Sequence, residues 1–159
     1  MSDNNTIASE FIAAYYYKLT YVPNDIQKFY NQEKATIWRQ SMESSNAIPF
    51  KDAKNLLVPT ITKGSKVSVL EYNILNVENG FILNVFGKIE EGETARKFVQ
   101  TFFIEIVKAE DVSRICIISD SLKYESTKEE EEALQLTEVR PKKQYKKKPT
   151  PNKFVYKAD

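Results

Sequence analysis

The residues best suited to chemistry in this 159-residue chain sit near its C-terminal end. Arg140, Lys142, Lys143, Lys146, Lys147 and Lys148 form a dense cationic run, with Tyr145 inside it and Phe154 and Tyr156 beyond. Cations neutralise phosphates and aromatic rings stack on unpaired bases, so the pattern suits RNA, a ribonucleoprotein or a ribosome. With at most 8 cations in residues 140–159, such binding would be salt-sensitive and weakly sequence-specific. A nuclear localisation signal and a solvated end fit the same composition. Glu129, Glu130, Glu131 and Glu132 precede the run. They read as a linker that can also pair with the cations in cis, at ~0–1 kcal/mol for each exposed pair.

Absences narrow the rest. The chain has no histidine, so Ser-His-Asp and Cys-His catalysis and imidazole-ligated metals are excluded within it. Cys116 is the single cysteine, which removes an intrachain disulfide and a cysteine-based zinc site. Lying in an apolar stretch, it reads as a small hydrophobe rather than a nucleophile. No carboxylate pair stands at a defined spacing. No cofactor or metal is called for, and an enzyme is not expected. No stretch approaches the ~20 apolar residues of a membrane span, and Met1-Ser2-Asp3-Asn4-Asn5 lacks the features of a signal peptide. No membrane partner is expected, and the expected home is the cytoplasm, with the nucleus or the nuclear envelope as alternatives.

The net charge of +1 is unevenly placed. Residues 1–139 carry 15 basic and 21 acidic side chains, or −6; residues 140–159 carry 8 and 1, or +7. The reading is one domain over 1–127, an acidic linker over 128–139 and a basic tail over 140–159.

The body must hold whatever site exists. Ile7, Phe11, Ala14, Tyr15 and Leu19 make one apolar stripe, predicting a helix over 6–20. Pro23 opens a second short helix to Tyr30, with Asp25 near its start. Residues 34–41 are β-compatible, 42–49 read as a loop, and a third short helix covers 50–58 before Pro59. Strands follow over 66–77, 81–89, 98–107 and 115–124. Asn79-Gly80 signals a tight hairpin, expected as a type I′ turn with positive φ at both residues. The class is α+β, with early helices against a late antiparallel meander.

These strands are apolar on both faces. Phe98, Phe102, Ile104 and Ile106 share one face of the third, against Val99, Phe103 and Val107 on the other. Helices cover one face, and a symmetric partner chain is the economical cover for the second. A homodimer through the sheet is therefore expected.

Three motifs carry a resemblance. Phe11, Tyr15 and Tyr16 followed by Pro23 and Lys28-Phe29-Tyr30 resemble the F-x-x-x-Y-Y…P…(R/K)-F-Y opening of the nuclear transport factor 2-like family. Arg96-Lys97-Phe98-Val99-Gln100-Thr101-Phe102 resembles its central strand, R-(R/K)-F-x-Q-T-F. Ile118 to Tyr124 is similar to its closing strand, N-D-x-F-R-Y, with Ser119 and Leu122 replacing Asn and Phe. Across about 6–126 the pattern looks most like the N-terminal domain of the Ras-GAP SH3-domain-binding proteins, which are stress-granule scaffolds. None of those proteins' long acidic, RNA-recognition or Arg-Gly segments occurs here.

The resemblance implies a cone of three helices on a strongly bent antiparallel sheet, dimerising through that sheet. It also implies a groove for short Phe-containing peptide motifs. The matching positions are Ile7, Phe11, Phe29, Phe102, Ile104 and Ile115, rimmed by Gln27 and Lys28. Ile115 stands in place of a Phe that stacks on the ligand, and Ala14 in place of a polar rim residue. Periodicity alone reads the same apolar positions as core. The combined expectation is a non-enzymatic interaction module with an RNA-contacting tail. One alternative is a nucleocytoplasmic transport factor that binds Phe-Gly nucleoporins and a small GTPase or export receptor. The other is a His-free enzyme working in the cone, with Asp120 and Tyr72 as the available groups.

Overall fold

The computed structural model describes residues 3–59, 64–109, 112–125 and 154–158. The cationic run 140–148 and the glutamates 129–132 lie outside the described residues.

Helix α1 spans Asn4–Tyr21, slightly longer than the apolar stripe predicts. Asp3 caps it, its carboxylate accepting from the Thr6 N–H at 2.8 Å. The stripe packs inward, with Ala8, Phe11, Ile12, Tyr15, Tyr16 and Leu19 all buried. Pro23 starts the second helix as expected, but Pro23–Phe29 is a 3-10 helix. The third is short, α2 over Phe50–Ala53 followed by a 3-10 turn over Lys54–Leu56.

The strands are β1 Thr36–Arg39, β2 Ile48–Pro49, β3 Lys66–Val77, β4 Gly80–Glu91, β5 Thr94–Ala109, β6 Val112–Tyr124 and β7 Phe154–Lys157. They form one open seven-stranded sheet in the order β2-β1-β6-β5-β4-β3-β7. β3 to β6 make the expected antiparallel meander, while β1 runs parallel to β6. Two strands were not expected. β2 has 2 residues and lies in a stretch that reads as loop. β7 lies within the segment read as a tail outside the domain, and it pairs with the edge of β3. The sheet therefore includes part of residues 140–159.

Two bulges aim the side chains. Ile117 and Asp120 are both buried although their odd spacing should place them on opposite faces. The β5–β6 register slips between Phe103 and Ile104, which leaves Ile118 as an extra residue in β6. That extra residue turns Asp120 into the core. A second slip between Val69 and Glu71 does the same for β3 at Leu70.

The hairpin at Asn79-Gly80 is present, but its chemistry differs from the expectation. Val77 pairs with Gly80, so the turn residues are Glu78 and Asn79. Among the described non-glycine residues only Asn79 has positive φ, at 66°, and Gly80 is not left-handed. This is not a type I′ turn. Gly80 is needed for space: an added Cβ would lie 2.0 Å from the Ile104 carbonyl oxygen. Backbone cannot yield to that contact cheaply. Gly80→Ala is expected to lower unfolding free energy by roughly 1–3 kcal/mol, measured by urea denaturation. An unchanged midpoint would show that β4 can slide away from β5.

The two faces of the sheet differ in cover. Phe81, Leu83, Val85, Phe98 and Phe102 are buried under the helices. On the outer face Ile82, Phe86 and Phe103 are half-buried, while Leu75 is 59% exposed and Val99 37%. A polar ladder crosses this patch, Thr101 Oγ1 donating to Asn84 Oδ1 at 2.8 Å and Asn84 Nδ2 to Asn73 Oδ1 at 3.0 Å.

Candidate functional site: a groove beside the first helix

An open groove of about 1120 Å³ runs along α1. Ile7, Glu10, Phe11 and Ala14 form one wall, and Phe29 stands beyond them. Val77, Asn79 and Gly80 of the hairpin close one side, and Ile106, Lys108, Ser113 and Ile115 form the opposite wall. Asn4 Nδ2 donates to Asn76 Oδ1 at 2.7 Å, tying the first turn of α1 to β3 at one end.

Four of the residues expected to form a groove meet here: Ile7, Phe11, Phe29 and Ile115. Phe11 is the hinge between groove and core. Its ring lies edge-on to Phe29 at 5.7 Å and to Phe102 at 5.1 Å. Phe102 and Ile104 do not line the groove. Both are 0% exposed, so they support its floor from below. Gln27 and Lys28 are exposed on the 3-10 helix but do not line the groove either, and Lys28 is 3.3 Å from Asp25. Lys18 approaches the open end, its Nζ 5.8 Å from the Phe29 ring centroid. Motif matching missed Ile106, Val77 and Lys108, because these come from the strand ends and the hairpin rather than from any motif.

A buried polar network holds α1 in place over the sheet. Arg39 of β1 donates through Nη2 to Asp120 Oδ2 at 2.8 Å. Its other donors meet backbone carbonyls, Nε to Leu56 at 3.0 Å and Nη1 to Trp38 at 3.0 Å. Tyr30 OH also donates to Asp120 Oδ2, and Gln100 Nε2 donates to Oδ1 at 2.9 Å. Tyr16 OH donates to Gln100 Oε1 at 2.7 Å, and Tyr15 OH meets Tyr30 OH at 3.1 Å. One carboxylate thus links α1, the 3-10 helix, β1, β5 and β6. Among the described residues no buried side-chain polar atom lacks a partner. Burial, followed by the nearby Asp120 charge, pushes the Tyr15 and Tyr30 hydroxyls well above their ordinary range. Asp120 strengthens the hold on the Arg39 proton despite burial opposing it.

Asp120 therefore serves as an anchor: it is 1% exposed and its oxygens are engaged by Arg39, Tyr30 and Gln100. Tyr72 is only partly buried and packs against the core from β3. No group of 3 or more metal-ligating side chains occurs among the described residues. No helix among them is long and apolar enough to cross a membrane.

Helices stacked on one face of an open, bulged sheet, with α1 laid along a groove, define a nuclear transport factor 2-like fold. Solved structures agree. The yeast UBP3-associated protein BRE5 matches with a TM-score of 0.59 at 15% identity, over 80% of this chain and 100% of that one. A nuclear transport factor 2-like protein of unknown function from Shewanella baltica OS155 matches with a TM-score of 0.50 at 11% identity, over 77% and 95%. No protein-family model and no curated protein matches the sequence. The likeness is one of fold.

Proposed function

We propose that this chain is a non-enzymatic protein-interaction module that takes a short Phe-containing peptide motif in the groove beside α1. The observation that carries the reading is the groove itself: an aromatic and aliphatic floor, open to solvent, with a few polar rim groups. An aromatic anchor gains most of its binding energy by burial in such a cleft. The fold neighbour BRE5, described as associated with another protein, is in keeping with an interaction role. Asp120 supports the non-enzymatic reading, because its charge is committed to Arg39 and its oxygens are out of reach of a substrate.

Two further parts complete the proposal. The exposed Leu75 and Val99, with half-buried Phe86 and Phe103, make the outer sheet face a homodimer interface. The cations over 140–148 contact RNA or a ribonucleoprotein.

Each part has its own test. A fluorescent Phe-Gly peptide should bind the full chain, and Ile115→Glu should weaken it at least ~10-fold by placing a charge against the apolar floor. Ile115 is half-buried, so the variant should still fold, which circular dichroism checks. No saturable binding by any Phe-containing peptide would end the groove reading. Sedimentation at micromolar concentration should show a dimer. An oligouridine probe should lose affinity about 300-fold between 50 and 200 mM salt, as expected when roughly six phosphates are neutralised on a single strand. Replacing the six cations of 140–148 with Gln should abolish that dependence. A salt-independent affinity would rule out the phosphate contact.

A further inference from the structure

The geometry points to a second docking site at the far edge of the sheet. We propose that the Lys66–Val69 edge of β3 is a strand-docking slot for an extended peptide, and that the chain's own β7 fills it in cis. The chemistry of the peptide is specific: an aromatic residue where Tyr156 sits, followed by an acidic residue opposite Lys66.

The slot has a defined register. Val69 pairs with Phe154, Ser68 with Val155, Val67 with Tyr156 and Lys66 with Lys157. Pairing continues past the strand, as the Ala158 N–H donates to the Ser65 carbonyl at 2.6 Å and the Gly64 N–H to the Ala158 carbonyl at 2.8 Å. Main-chain bonds of this kind supply sequence-independent affinity, and alternate side chains supply the choice. Tyr156 is the inward side chain at the centre. It packs against the core beside α1, with its hydroxyl reaching the Ala13 carbonyl at 3.4 Å. Ala158 is 7% exposed, so a small residue is required there.

The occupant is suboptimal, which makes it displaceable. β7 has 4 residues, whereas β3 to β6 have 12 to 16. Lys157 lies directly opposite Lys66, and like charges facing each other across strands oppose pairing. The tyrosine hydroxyl contact, at 3.4 Å, is longer than an ordinary hydroxyl–carbonyl hydrogen bond. A peptide with Glu in place of Lys157 keeps the register and removes the repulsion. β7 holds the slot chiefly because it is tethered. The 29 residues from 125 to 153 join β6 to β7, so β7 meets the slot as an intramolecular partner and needs less intrinsic affinity than a free peptide does.

A lockable strand tests this in the full chain. The probes are two labelled peptides, Asn-Lys-Phe-Val-Tyr-Glu-Ala-Asp and the same sequence with Lys in place of Glu. In a Cys116→Ser background, Ser68→Cys and Val155→Cys place two thiols on a cross-strand pair. Oxidation should close a disulfide within one chain and abolish binding of the Glu peptide, and reduction should restore it. Tyr156→Ala should tighten binding at least tenfold by weakening the cis strand, and the Glu peptide should bind several-fold better than the Lys peptide. Binding unchanged by the locked disulfide, or no binding to a folded Tyr156→Ala chain, would overturn the proposal. So would equal affinity for the two peptides.

Discussion

Asp120→Leu should lower the free energy of unfolding by about 3–5 kcal/mol, the range for a buried cation stripped of its counter-ion. Arg39 cannot turn to water, since its side chain is 5% exposed and its other donors are fixed on the Trp38, Leu56 and Leu57 carbonyls. The same substitution strips Tyr30 OH and Gln100 Nε2 of their acceptor. Small domains are stable by only about 5–15 kcal/mol, so the variant should unfold at a much lower urea concentration. Arg39→Met with Asp120→Leu removes both charges and should recover part of the loss. The recovery stays incomplete because Tyr30 and Gln100 still lack their partner. A single variant within 1 kcal/mol of the parent would mean the pair is solvated in solution. The pair also reports on the groove: Tyr15 and Tyr16 hang from this network on α1, so the single variant should loosen peptide binding as well.

Alkaline pH should unfold the protein steeply. Tyr15, Tyr16 and Tyr30 all have hydroxyl pKa values raised above the ordinary 10.0, with burial as the largest cause. For a group whose folded pKa is raised, the associated stability is fully present below the unfolded pKa. It is lost as pH rises from about 10 toward the folded value. Each such tyrosine contributes a slope of up to about 1.4 kcal/mol per pH unit in that window, so three give about 4. Urea midpoints measured between pH 9 and 11.5 should be flat at first and then fall sharply. Tyr16→Phe removes one ionisation and should reduce the slope by up to about 1.4 kcal/mol per pH unit, while costing about 1 kcal/mol at neutral pH for the lost bond to Gln100. A flat profile through pH 11 would mean these hydroxyls ionise without opening the fold.

The amino-acid pattern made the meander readable because β3 to β6 are long, apolar and separated by turn residues. It made α1 readable because one face repeats at helical spacing. The groove was half readable. Ile7, Phe11, Phe29 and Ile115 carry a motif, yet periodicity cannot distinguish a groove wall from the floor beneath it. Phe102 and Ile104 fell on the wrong side of that distinction. Asp120 shows why strand parity is not enough: a single extra residue at Ile118 turns it inward. Arg39 gave no signal, since its role depends on carbonyls of Leu56 and Leu57 that are distant in sequence. β7 was hidden by composition. Its four residues follow a lysine-rich stretch with three prolines, Pro141, Pro149 and Pro151, and a strand that short is specified by the edge it joins rather than by itself.

The return of the chain to β3 changes what proteolysis does to this molecule. β6 and β7 are separated in the sheet by β5, β4 and β3, so residues 126–153 are fastened at both ends. A cut anywhere in that stretch would remove the tether that keeps a four-residue ladder in place, and β7 would diffuse away at micromolar concentration. One nick between the acidic run and Arg140 would separate the cations of 140–148 from the groove domain and bare the edge of β3. Cleavage would thus exchange one set of contacts for another instead of merely trimming an appendage.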